Sequence, residues 1–509
     1  MAASWMRYRL FPYERQLGMR ELERLGLRVV ADDGHLVTVT GDAERAIRRA
    51  TYFEGFAEPL SAVEPTEQAT AELAHLALRE SNGIRQATRY GPHGIHEYKG
   101  KFNPQVVRAL CNVVDVDADV LIDPFCGSGT ALVEGLRLGM DVVGIDHSPI
   151  ACFIAEAKLS AMTSESKAGL AQELLDLAEQ CAAAMELGQT GGEVVDLRPT
   201  LGQGAVTYLE RWFTSPAYAA LANAIAALNE SRRSAAGRLA LVALSSILRE
   251  VSLQLPEDLR VRRRPEPYTA PMLAPLFLEA IHATRRGLLE MDDWPDNGGE
   301  WAVCHGSAET AAAYAAAGMG RRLVLTSPPY ATALPYIDTD RLSVVALGLA
   351  DSSELLALER SLIGSREWTR PEQLEWDTHR LANRSNLPRA VTSAVADIGA
   401  LNEGPDAGFR RKAVPSLLYR YFARMGNSFD RWHAALTAGE STVLIVGHNH
   451  TTAGGERIAI PTPDLLGHVA ETRGFDVDEI IKLETWPRYG LHSANGVPGE
   501  DALVLRRRS

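Results

Sequence analysis

Several things this chain lacks narrow what it can be. Its 509 residues include five cysteines (Cys111, Cys126, Cys152, Cys181 and Cys304), and no two form a CxxC pair. Such scattering argues against a disulfide framework or a zinc site, and it fits a reducing, cytoplasmic setting. No run of 18 apolar residues occurs, so no membrane span is expected. The opening stretch MAASWMRYRLFPYERQ has no apolar core of the signal-peptide kind. Positive charge is in deficit too: 52 Lys and Arg stand against 65 Asp and Glu, a net charge of −13. That excludes a protein coating nucleic acid by charge alone, but not one with a local basic groove. GxGxxG and the lysine of a phosphate-binding P-loop are both absent, as is any Pro-Cys dipeptide.

What is present points to several α/β parts. Residues 1–75 read as a small α/β unit. In it, YERQLGMRELERLG has helical periodicity and LRVVADDGHLVTVTG reads as a hairpin turning at Asp-Asp-Gly. Residues 85–160 alternate strand, loop, helix and strand, a βαβ unit that implies a parallel sheet. An Ala- and Leu-rich helical insertion fills 161–298. Strand signals resume over 299–345, at EWAVCHGSA and RRLVLTSPPY. Residues 346–414 are polar with little periodicity and read as an irregular insertion. The stretch 415–509 returns to α/β. Basic residues cluster in RVRRRPEP (260–267), SRRSAAGR (231–238), FRRK (409–412) and LYRYFAR (418–424).

Two stretches carry chemistry. DPFCGSGT, residues 123–130, directly follows a strand and opens a helix. Gly127 and Gly129 let the backbone pass close to a ligand there. The next strand ends at Asp146, an acid well placed for a ribose diol. The second stretch is TSPPY, 326–330, where a strand-like run stops in two prolines and an aromatic. The prolines fix φ, so a carbonyl points one way at little entropic cost. Tyr330 offers a flat face for stacking.

Together these stretches resemble the amino-group DNA methyltransferases, whose cofactor loop is written DPFxGSGT and whose catalytic tetrapeptide is [D/N/S]PP[Y/F/W]. The resemblance implies an α/β fold: a Rossmann-like class I methyltransferase with a mixed seven-stranded sheet. The helical insertion and the small N-terminal unit would be additions to it. S-adenosyl-L-methionine is the implied cofactor, held by Asp123, Pro124, Phe125, Gly127, Ser128, Gly129, Thr130 and Asp146. HEYKGKFNPQVVRAL, 96–110, looks like the family segment that closes over the cofactor's methionine end, through Lys101, Phe102 and Pro104. HGSAE, 305–309, matches the adenine-contacting segment, with Ser307 where the family usually has an acid.

The implied reaction is methyl transfer to an exocyclic amine of a flipped base. Ser327 and the Pro328 carbonyl accept from the amine, Pro329 stiffens the turn and Tyr330 stacks on the base. No metal is needed. Cytosine-C5 chemistry is disfavoured, because it uses a Pro-Cys nucleophile. Serine in the first tetrapeptide position points to N4 of cytosine in duplex DNA, with adenine N6 as the alternative. An RNA amino-methyltransferase, with residues 1–75 binding RNA, is a further alternative, and so is a non-catalytic DNA-sensing subunit. Candidate base-reading residues are Arg249, Arg262, Arg366, Trp368 and Asn449. Any restriction or defence activity would have to reside in a separate partner.

Overall fold

The computed structural model describes residues 1–58, 61–78, 86–98, 102–256, 262–265, 267–331, 336–402, 408–484 and 499–509. The N-terminal unit is an antiparallel sheet of β1 (Ala2–Trp5), β2 (Arg28–Asp32), β3 (Leu36–Thr40), β4 (Phe53–Ala57) and β5 (Glu64–Pro65), in the order β2-β3-β1-β4-β5. The expected helix and hairpin are there, at Pro12–Arg24 and β2–β3.

The main sheet comprises β6 (Val120–Asp123), β7 (Asp141–Asp146), β8 (Trp301–His305), β9 (Arg322–Thr326) and β10 (Ser441–Gly447), followed after a hairpin by two long strands. That hairpin is β11 (Asn449–Ala453) with β12 (Glu456–Ile460), and the two strands are β13 (Phe475–Glu484) and β14 (Gly499–Arg507). The order is β13-β14-β10-β9-β6-β7-β8. Counted within this sheet alone it reads 6-7-5-4-1-2-3. β14 runs antiparallel to both its neighbours, and the pairs among β6 to β10 are parallel. This is the Rossmann-like methyltransferase arrangement expected above.

The central strands are apolar without alternation because both faces are covered. Leu121, Val142, Leu323 and Val443 face a core shared with the N-terminal unit and the helices Pro104–Asp115 and Thr130–Arg137. Val120, Val143, Val324 and Leu444 face a core built on the helices Phe409–Ala435 and Thr462–Glu471. The helical insertion forms a third core with the helix Pro149–Met162 through Phe153, Ile154 and Ala157.

Residues 346–414 differ from the expected irregular segment. They contain the helices Leu355–Ser361, Arg370–Leu381 and Arg389–Leu401. The second of these buries no residue, so its sequence has no apolar stripe to read. A Thr369–Glu372 capping box and Pro371 in its first turn start it instead.

One buried ionic network ties remote segments together. The Glu134 carboxylate, on the helix Thr130–Arg137, accepts from the Tyr90 hydroxyl at 2.9 Å, His93 Nε2 at 2.8 Å and Arg137 Nη1 at 3.1 Å. Arg108 lies 3.5 Å away, and its side chain and Glu134's are fully buried. Burial alone would raise the carboxyl pKa, but Arg137, His93 and Arg108 hold it well below the usual range. Arg137 also lies over the Trp294 ring, 4.4 Å from its centre, at the end of the helical insertion. Removing the carboxylate would leave two guanidinium groups buried and unpaired. Glu134→Ala is therefore expected to lose about 3–5 kcal/mol, read from urea denaturation, and a loss under 1 kcal/mol would contradict the network's weight.

Candidate active site

The loop after β6 and the turn after β9 meet because those two strands are neighbours. A cleft of about 710 Å³, counting its open mouth, lies at their carboxyl ends. Pro124, Phe125 and Gly127 of the first motif line it, with Asp146 at the end of β7, Ser307 after β8, and Ser327 and Pro329. The two motifs, about 200 residues apart in the chain, thus face one space.

Both glycines of the first motif sit in a backbone conformation that side chains rarely adopt. Gly127 and Gly129 have φ of 49° and 81°, in the left-handed region where a side chain is strained. A Cβ on Gly127 would meet only the Tyr98 ring, at 3.4 Å, whereas one on Gly129 would press on Ala155 at 3.1 Å. So Gly127 keeps the loop open to the cleft and Gly129 allows the loop to pack. The Ser128 carbonyl accepts from Lys158 Nζ at 3.0 Å, and Ser128 and Thr130 are buried beneath the loop. Asp146 takes the Gly127 N–H on one carboxylate oxygen and the Ser148 N–H on the other, both at 2.8 Å. Burial raises its pKa against those two bonds.

Asp123 couples the motifs. Its Oδ1 accepts from the Thr326 hydroxyl at 2.6 Å and the Phe125 N–H at 3.1 Å. Its Oδ2 is buried and has no partner among the described residues. Burial pushes this carboxyl up to about 7. At the far end of the tetrapeptide, the Tyr330 hydroxyl donates to Glu500 Oε1 at 2.6 Å. A carboxylate therefore anchors the chain on each side of Ser327–Pro329.

Further cleft residues come from outside the two motifs. His147 donates to or accepts from the Ser361 hydroxyl at 2.5 Å. Burial, His305 and Arg424 lower its pKa to about 4, so the ring is neutral at pH 7. Arg424 pairs with Glu309 at 2.6 Å, and Glu309 Oε2 in turn accepts from Ser307 at 3.4 Å. Ser361, Leu362 and Ile363 bring the insertion onto the cleft. His147 had a signal in following Asp146 directly, and Arg424 in closing the LYRYFAR cluster. Tyr98, from the 96–110 segment, is also at the cleft, whereas Phe102 packs into a core and Pro104 is the buried first residue of its helix. Lys101 lies outside the described residues.

The candidate base-reading residues are dispersed. Asn449 begins the hairpin next to β10, and its Nδ2 is buried without a partner among the described residues. Trp368 is half-buried under the Arg420 guanidinium, 4.9 Å from its ring centre. Arg249 donates to the Pro256 carbonyl at 2.8 Å, and Arg262 and Arg366 are exposed.

The cleft suits S-adenosyl-L-methionine. Asp146 is an acid on the cleft wall, and Gly127 and Gly306 present no side chain to the ligand's space. Among the described residues there is no group of three metal-ligating side chains, and no helix is long and apolar enough to cross a membrane.

Asp123 has a measurable signature. Its folded-state pKa lies above the ordinary carboxyl value, so the stability it contributes is present in full at acid pH and is lost as pH rises through about 7. Burial likewise raises Glu14, Glu21, Glu72 and Glu359 to about 7, so these five carboxyls together withdraw stability as pH rises from their unfolded values, near 4, to about 7. Asp123→Asn should lessen that slope in urea titrations. An unchanged slope would show that Asp123 is ionised throughout.

Sequence likeness agrees with this geometry. Residues 95–187 match the UPF0020 family model, an RMKL-like methyltransferase domain. The chain is 52% identical over 67 residues to the type II methyltransferase M.MjaII of Methanocaldococcus jannaschii, covering 13% of each protein. It is 24% identical over 288 residues to the type II methyltransferase M.MvaI of Kocuria varians, covering 54% of this chain and 62% of that protein. It is 42% identical over 50 residues to the tRNA (guanine(10)-N2)-dimethyltransferase of Methanothermobacter thermautotrophicus, covering 10% of this chain and 15% of that protein. The chain thus spans less than two thirds of each of these relatives. Domain model, relatives and strand order all place the likeness among methyltransferases.

Proposed function

We propose that this protein is an S-adenosylmethionine-dependent methyltransferase acting on an exocyclic amine of a nucleic-acid base, N4 of cytosine in DNA. The observation that carries the reading is the shared cleft, which Ser327 and Pro329 line together with Gly127 and Asp146. When bound, the cofactor supplies an electrophilic methyl group. The chain's own residues do the rest by position. An exocyclic amine is a poor nucleophile because its lone pair is delocalised into the ring. Ser327 Oγ and the Pro328 carbonyl accept its two N–H groups and favour a tetrahedral nitrogen. Fixed φ at the prolines and an anchor at each end keep those acceptors from reorganising. Tyr330 gives the extruded base a stacking face. Serine in place of a carboxylate or amide favours cytosine over adenine.

The match to a tRNA methyltransferase and the N-terminal five-stranded sheet favour a second reading, an amine in RNA with that sheet as the RNA-binding part. Nucleoside mass spectrometry after incubation with duplex DNA, single-stranded DNA and bulk RNA decides between them. N4-methylcytosine in duplex DNA is the expected product, N6-methyladenine would overturn the serine argument, and a signal confined to RNA would replace the substrate. Tyr330→Ala should lose most turnover, about 100-fold or more, yet bind S-adenosylmethionine as the wild type does. Full activity in that variant would refute the stacking role.

A further inference from the structure

The helix Phe409–Ala435 has 27 residues and is therefore about 40 Å long, while β9 beside it has five residues and spans about 17 Å. Its direction is fixed at two points. Arg322, which begins β9, donates to the Ala435 carbonyl at the helix end. Arg424 lines the cleft with Ser327 and Pro329, which follow the other end of β9. The helix thus runs antiparallel to β9, and its first part, 409–423, extends past the carboxyl ends of the strands, on the side where the cleft lies. The helices Arg370–Leu381 and Arg389–Leu401 pack along that part: Arg380 bonds Ser416, and Gly399 lies against Pro415. The result is a wall beside the cleft.

The tip of the wall is unusual. Phe409 is 79% exposed, and Arg410, Arg411 and Lys412 are all exposed. None of the three cationic side chains has an ion pair with a described residue, and Arg410 lies over the Phe409 ring at 5.7 Å. Three cations in the first turn of a helix oppose its macrodipole, and a bare phenylalanine is costly in water. Neither feature helps folding. Both suit a polyanion with aromatic bases. Along the helix, Phe409 is 15 positions from Arg424, about 22 Å, or about six base pairs of duplex.

We propose that Phe409–Lys412 is a docking element for duplex nucleic acid. The three cations meet backbone phosphates and Phe409 meets a groove or base step, about six base pairs from the base held in the cleft. The proposal rests on the nucleic-acid reading above and names where the flanking duplex is gripped. Full-length protein and a triple variant, Arg410→Gln, Arg411→Gln and Lys412→Gln, would be titrated with a fluorescent 30-base-pair duplex from 50 to 200 mM salt. A thermal melt and S-adenosylmethionine calorimetry would confirm that each protein is folded and loaded. The triple variant should lose about 2.7 from the slope of log affinity against log salt, near 0.9 per phosphate, so its deficit should grow about 40-fold from 200 down to 50 mM. Phe409→Ala should weaken binding at every salt concentration without changing the slope. If the wild type binds duplex and the triple variant keeps the same slope, the docking element is wrong while the proposed function stands. If the wild type binds no duplex at 50 mM salt, both the docking element and the duplex-DNA reading fall.

Discussion

The hydrogen bond from Thr326 to Asp123 is the constraint on which the site depends. It joins residues 203 positions apart, buried, at the carboxyl ends of neighbouring strands. Through it the loop that would hold the methyl donor and the turn that would hold the methyl acceptor share one carboxyl group. A methyl transfer needs its two partners within van der Waals reach and in line, and misplacement by an ångström costs orders of magnitude in rate. Tying both motifs to one side chain is a direct physical means of limiting such error. Glu500 does the same for the other end of the tetrapeptide, from a strand that enters the sheet antiparallel at the end of the chain.

The strand order explains why long insertions do not disturb this arrangement. β6 and β9 pair although the helical insertion separates them in sequence, because the chain builds β6, β7 and β8 outward and then returns to the centre for β9. The inserted helices need only rejoin the sheet at its edge strand, β8, and they make their own core on the helix Pro149–Met162. The Glu134 network fixes the other side of that junction. It binds residues 90–93, the helix Pro104–Asp115 and the end of the insertion to the helix that starts at the glycine loop. A loop held in this way can keep left-handed glycines open to a ligand without collapsing on them.

Much of the site was legible in the sequence because its parts are local. Left-handed glycines, paired prolines and a strand ending in an acid are short-range features, and DPFCGSGT and TSPPY carry them in consecutive residues. Pairings across the chain were not legible. Nothing local says that His147 meets Ser361, or that Tyr330 meets Glu500, since those contacts exist only once the strand order is fixed. The helices of 346–414 were unreadable for another reason. Helical periodicity reports a buried apolar stripe, and Arg370–Leu381 has no fully buried residue and, among its apolar ones, only Trp376 partly covered. It forms through its capping box and its packing on the long helix beside it.

That weakly patterned wall also bears on the charge problem. An acidic protein approaching a polyanion is repelled at long range, and screening confines the repulsion to about 10 Å at 0.1 M salt. The exposed cations Arg410, Arg411 and Lys412, carried along the helix beyond Arg424, offer a polyanion a local positive site within that screened range. The overall acidity then does not argue against a nucleic-acid substrate. It would make such binding depend on local clusters of exposed cations. Those cations lie on the same helix that places Arg424 at the cleft, so a duplex gripped there would be held at a set spacing from the cleft.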